Sequence, residues 1–245
     1  MSNPVLNKQF GHPDQPETAN APIVTETGDR MTIGSVLGHT GIMFALLLAG
    51  AVYGWTNVTE IGGLFWGVFI ATIVLLIVTV VRPTLVRITG PLYAIAEGVL
   101  VGAISRIYSD LWDGIVVQAV LATLAVFMAM LFLYANRIIK VTERLRSTIV
   151  LATVGVMLFY LISIGLSFFG ANIPFVWDGG PISILLSLVI CGIAAFNLLL
   201  DFDLIERGIS EGAPAWMSWF AAFGLMVTVV WLYLEILRLL ALTRD

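Results

Sequence analysis

Long apolar runs separated by short polar segments dominate the chain, and seven of the runs are long enough to cross a membrane. A bilayer core takes about 20 mainly apolar residues in helical form, because backbone groups left unpaired in hydrocarbon are too costly. The runs fall at about 33–55, 62–81, 91–108, 114–134, 148–170, 181–200 and within 213–242. Arg82-Pro83 stops the second, and the turn Gly179-Gly180-Pro181 precedes the sixth. The pattern predicts an all-α polytopic membrane protein of seven transmembrane helices. The last run is longer than one span requires. Its first third, with Trp216, Trp219 and Phe220, has the tryptophan-rich, amphipathic character of an interfacial helix. The crossing itself is therefore expected at about 223–242, and an even span count with a re-entrant last helix is the competing topology.

Composition supports the same class. Charged residues make up 11% of the chain and hydrophobic ones 59%, whereas a soluble domain carries about 25% charged residues. Lipid must therefore be the main solvent and the first partner. A net charge of −4 without a basic patch excludes nucleic acid, and the single cysteine, Cys191, excludes an intrachain disulfide. Residues 1–30 lack the basic and apolar segments of a secretory signal and are too polar to bury a core. They are expected to be a disordered cytoplasmic tail ahead of a transmembrane domain at 31–245. Nine of the 12 basic residues, among them Arg82, Arg87, Arg137, Lys140, Arg144 and Arg146, fall on the side of that tail. The positive-inside rule then predicts a cytoplasmic N-terminus in the cell membrane.

Small residues recur four apart at Gly34/Gly38, Gly50/Gly54 and Gly98/Gly102. Such pairs let helices approach closely, and packing within the bundle is favoured over dimerisation.

Ionisable residues inside spans are costly and mark functional positions. Asp201 and Asp203 close the sixth run, with Asn197 one turn before Asp201 on the same face. Gly208 and Gly212 are the expected helix stop. Glu235 lies in the most apolar setting of any acid, three residues before Arg238; it either pairs locally with that arginine or faces an internal polar path opposite Asp201. Glu97 lies in the third run and His39 early in the first, the latter expected to pack rather than to bind. Two carboxylates held close in low dielectric cannot both ionise easily, so such a pair shares a proton near neutral pH. It also suits a hard divalent cation. No zinc, nucleophile-elbow or phosphate-loop motif is present, so no enzyme activity and no resident cofactor are expected, apart from transient Ca²⁺.

The segments Asp201-Phe202-Asp203-Leu204-Ile205 and Leu232-Tyr233-Leu234-Glu235-Ile236, with Glu97-Gly98 and Gly102, resemble the Bax inhibitor-1 (transmembrane BAX inhibitor motif) family, and residues 1–5 and 221–228 resemble its bacterial, actinobacterial branch. The resemblance implies a central last helix wrapped by the other six. It also implies a calcium leak held by a pH-sensitive latch of acids from spans six and seven. Those positions fall on Asp201 and Glu235, which would also be the calcium ligands; Asp203, Glu97 and Arg238 complete the candidate ion path. The expected function is a pH-sensitive calcium leak or transporter. The alternative is a non-conducting regulatory protein that binds a membrane protease or another membrane complex.

Overall fold

The computed structural model describes residues 30–168 and 180–244. Among these, seven helices are long and apolar enough to span a membrane. They are α1 (Ile33–Thr56), α2 (Val58–Val81), α3 (Val86–Leu111), α4 (Ile115–Ala135), α5 (Glu143–Phe168), α6 (Pro181–Ser210) and α7 (Trp216–Leu242), with a 3₁₀ turn at Pro83–Leu85 between α2 and α3. The chain is a multi-pass membrane protein, and the last helix is one continuous element long and apolar enough to span. The tail expected over residues 1–30 lies outside the described residues except for Arg30, which forms an isolated bridge with Pro214.

The helix ends follow local chemistry. Thr32 and Ser35 form a reciprocal capping box at the start of α1, each backbone N–H donating to the other side chain at 3.1 Å. Pro181 opens α6, where its missing N–H costs nothing. Gly212, at φ +67°, turns the chain from α6 into α7, and the Ala213 N–H reaches back to the Gly208 carbonyl at 2.8 Å. Gly208 is thus inside α6 rather than at its stop; a Cβ there would sit 2.7 Å from the Met31 sulfur.

Two expected boundaries are corrected. Helix α3 begins at Val86, so Pro91 lies inside it rather than at its start. Proline forfeits one backbone bond there, and a 2.7 Å bond between the Thr79 and Thr89 hydroxyls ties that first turn to α2. Helix α6 runs on to Ser210, between the two glycines expected to stop it. Helix α7 starts at Trp216, so the tryptophan-rich segment is the first third of the span and not an interfacial helix. Its Ser218, Ala221 and Ala222 are buried among other helices, Ser218 shares a 2.8 Å bond with Ser35, and Trp219 stacks on His39 at 4.0 Å.

Helix α7 is the axis of the bundle. In its most apolar stretch 67% of the residues are buried, against 11% in α2. It packs against α1, α3, α4 and α6. Helix α2 stands outside this ring, on α3, and α5 reaches α7 through Tyr160.

The tightest helix contact joins α1 to α3 through glycine. A Cβ on Gly50 or Gly54 would lie 2.3 or 2.1 Å from a carbonyl oxygen of α3, and one on Gly98 or Gly102 would lie 2.1 or 2.0 Å from a carbonyl oxygen of α1. These two pairs serve packing within the bundle. Gly34 and Gly38, by contrast, have nothing within 4 Å. Gly102→Val is therefore expected to destabilise the folded protein by about 3 kcal/mol or more, at or above the usual range for overpacking. Gly34→Ala should leave stability within about 1 kcal/mol of wild type. Thermal unfolding of both variants in detergent checks the pair.

Candidate functional site

The ionisable residues of α6 and α7 occupy three separate levels. At the basic end of the bundle, Asp203 on α6 accepts from Arg146 on α5 at 2.6 Å and from Arg207, one turn later on α6, at 2.8 Å. A carboxylate held between two guanidiniums at a helix end is a structural clamp between α5 and α6.

The next level is Asp201. Its carboxylate faces α7 where α7 has least bulk, with Oδ1 3.4 Å from the point a Cβ on Gly224 would occupy. Its polar neighbour on α7 is the Thr228 hydroxyl. Oδ2 is buried without a hydrogen-bond partner among the described residues. Asn197, one turn earlier on α6, donates its amide to the Thr153 hydroxyl of α5 at 2.8 Å and to the Ile193 carbonyl at 2.9 Å.

The third level is Glu235. It is 5% exposed, and Arg238 is 8% exposed. The Tyr160 hydroxyl of α5 donates to Glu235 Oε1 and accepts from Arg238 Nη1 at 2.7 Å. Direct approach of Arg238 Nη1 to Glu235 Oε2 is longer, at 3.7 Å. The phenol thus relays between acid and guanidinium, whose charges cancel inside a low-dielectric bundle. Cys191 on α6 lies at this level, close enough to feel both charges.

Helix α5 is fastened at all three levels by Arg146, Thr153 and Tyr160. These are seven residues apart, two helical turns, and so share one face. Ile149 and Val156 are buried between them, and Ser163 just beyond Tyr160. The seam that holds α5 is therefore half polar, unlike the glycine seam of α1 and α3.

The Bax inhibitor 1 like family model matches residues 3–245. The chain belongs to this family. Searches of curated proteins and of solved structures each returned no match.

In this member of the Bax inhibitor 1 like family the two acids expected to form the latch do not meet. Asp201 is level with Gly224 and Thr228, and Glu235 lies seven residues beyond Thr228, about 10 Å along the helix axis. A joint calcium site of Asp201 and Glu235 is accordingly not assembled. Antiparallel α6 and α7 run in opposite directions from a short turn, so residue 201 can only be level with positions near 226, and Glu235 instead is level with Cys191 and Tyr160. Of the two local alternatives for Glu235, the structure has Arg238, joined through Tyr160. Glu97 stays apart from both clusters on α3, where its polar neighbour is the Tyr93 hydroxyl one turn earlier. Among the described residues no three His, Cys, Asp or Glu side chains converge.

Sequence reasoning missed Tyr160, Thr228 and Arg146. A tyrosine in the middle of an apolar span was the available signal for the first; nothing in the spacing of Thr228 or Arg146 distinguishes them from neighbouring polar residues.

Burial of Glu235 and Arg238 makes their dependence on each other measurable. Glu235→Leu alone leaves a buried guanidinium without its counter-charge and is expected to cost about 3–5 kcal/mol. The double variant Glu235→Leu/Arg238→Leu should recover most of that loss, since well-packed apolar residues often replace a buried ion pair at little cost. Unfolding of the single and double variants in detergent gives the coupling directly.

Proposed function

We propose that this protein is a pH-sensitive cation leak in the cell membrane, with Ca²⁺ the favoured ion, its N-terminal tail in the cytoplasm, and no catalytic step or resident cofactor. The observation that carries the reading is the Asp201 carboxylate, whose Oδ2 is buried in the α6–α7 interface without a hydrogen-bond partner among the described residues. An orphan acceptor of this kind is costly, and a buried carboxylate alone in low dielectric takes a proton or a cation in preference to standing as a bare anion. Oxygen ligands suit a hard cation, and the Thr228 hydroxyl is the neutral oxygen that faces Asp201 from α7.

The Glu235–Tyr160–Arg238 cluster has a different part in this reading. It sits about two turns further along α7, and while it is closed its side chains fill the space beside α5 and leave no carboxylate free for a cation. Tyr160 belongs to α5, which packs mainly against α6. Small outward movement of α5 would break the phenol bridge without disturbing the glycine contact of α1 and α3.

The reading is tested by Ca²⁺ flux into liposomes carrying the purified protein, from pH 6 to pH 8. Ionised Asp201 is the cation ligand, so wild-type flux should be greater at pH 8 than at pH 6. Asp201→Asn should abolish that difference, and Tyr160→Phe should raise flux several-fold at every pH. No flux above empty liposomes at any pH, with helical content intact by circular dichroism, would overturn the leak and leave the non-conducting regulatory role.

A further inference from the structure

Helices α1 and α4 are not packed against one another, and the gap between them at the basic end of the bundle is a groove of about 580 Å³. Leu37 and Thr40 form one wall, Phe127 and Leu131 the other, and Ile205 with Leu225 the floor. The groove opens beside a second, polar recess of about 450 Å³ that contains Arg137, Lys140 and Asp203. Tyr134 and Arg137 line both. An apolar slot inside the membrane thus continues into a basic recess at its edge.

From this continuity we infer a binding site for one anionic phospholipid of the leaflet on the basic side, with an acyl chain in the groove and the phosphate in the recess. Charge and position decide the occupant: the apolar groove shares Tyr134 and Arg137 with a basic recess at its edge, as an acyl chain joined to a phosphate requires. The groove follows α1 from Ile33 to Thr40, about 10 Å of rise. That lies within the hydrocarbon depth of a single leaflet, half of about 30 Å.

The charges in the recess favour an anion. Asp203 is matched by Arg146 and by Arg207, the latter also reaching Glu143 at 3.5 Å, and Glu206 is held by Arg137 and by the Tyr134 hydroxyl. Lys140 is exposed and has no ion-pair partner among the described residues. Basic pockets between transmembrane helices take lipid headgroups in this way.

The backbone supplies an independent sign. Arg137 has φ +56°, the left-handed region, and is the single non-glycine residue there among those described. It occupies the position after the α4 cap where glycine is usual: its N–H donates to the Tyr134 carbonyl at 2.9 Å and that of Ile138 to the Leu133 carbonyl at 3.0 Å. Arginine carries a steric penalty in this conformation that glycine avoids, and in exchange a guanidinium stands at the mouth of the groove.

The test is native mass spectrometry of the full chain in detergent, titrated with phosphatidylglycerol or with phosphatidylcholine of the same acyl chains. Wild type should retain one phosphatidylglycerol in preference to phosphatidylcholine. Lys140→Gln should cut that preference about fivefold, the effect of one basic residue at an anionic surface, while phosphatidylcholine retention stays unchanged. Leu37→Trp should reduce retention of both lipids by blocking the groove, with Leu131→Trp doing so from the opposite wall if the first variant does not fold. Leu151→Trp, of equal bulk on the exposed side of α5 and away from the groove, should retain lipid as wild type does. Equal retention of both lipids by wild type, or groove variants that bind as wild type, would reduce the site to ordinary annular contact and overturn the proposal. So would a dimer that Leu37→Trp dissociates, which would make the gap an interface between two copies.

Discussion

A helix surrounded by other helices within a bilayer has neither water nor headgroups to solvate its polar side chains, so each must find its partner on a neighbour. Helix α7 is in that position, and the arrangement around it follows from how its polar groups are met. Ser218 meets Ser35 of α1, and Tyr233 shares a 2.7 Å bond with Ser105 of α3. Thr228 faces Asp201 of α6, and Glu235 and Arg238 meet through Tyr160 of α5. Each bond fixes a different neighbour at a different depth. Apolar packing alone would not do this, because lipid tails compete equally well for a leucine face.

Two kinds of seam result. The α1–α3 contact is made by backbone against backbone, and any added atom collides with a carbonyl oxygen. It has one arrangement and resists sliding. The seam of α5 depends on an arginine, a threonine and a tyrosine at successive levels. One side of α7 is thus closed by backbone contact and the other by side-chain hydrogen bonds. The open face between α1 and α4 is a third case, in which side chains of α7 and α6 face the bilayer through a gap.

Within one run of sequence, the information is local: hydropathy over about 20 residues, a capping residue, a glycine pair, an acid in an apolar stretch. That information determined the seven spans, the side on which basic residues gather, the four-residue glycine spacing and the family. It also marked Asp201, Asp203, Glu235 and Arg238 as exceptional, because an ionisable group in a span is unusual whatever surrounds it. The extra length of the last run was equally legible, but its meaning was not. A tryptophan-rich third of a helix looks the same whether lipid or protein covers it, and here Ala221 and Ala222 are covered by protein.

Tertiary structure decided which exceptional residues meet. Relative depth on two antiparallel helices depends on the turn that joins them, and a shift of one helical turn moves a side chain by about 5 Å. That is why Asp201 stands opposite Gly224 and Thr228 while Glu235 is left to Tyr160, a residue 75 positions away in the chain. The same holds for the groove, whose walls are ordinary apolar positions on α1 and α4. Sequence alone determined the spans, the family and the residues that had to be accounted for. Partnership and empty space were decided by packing, because both depend on distances between helices that no local pattern encodes.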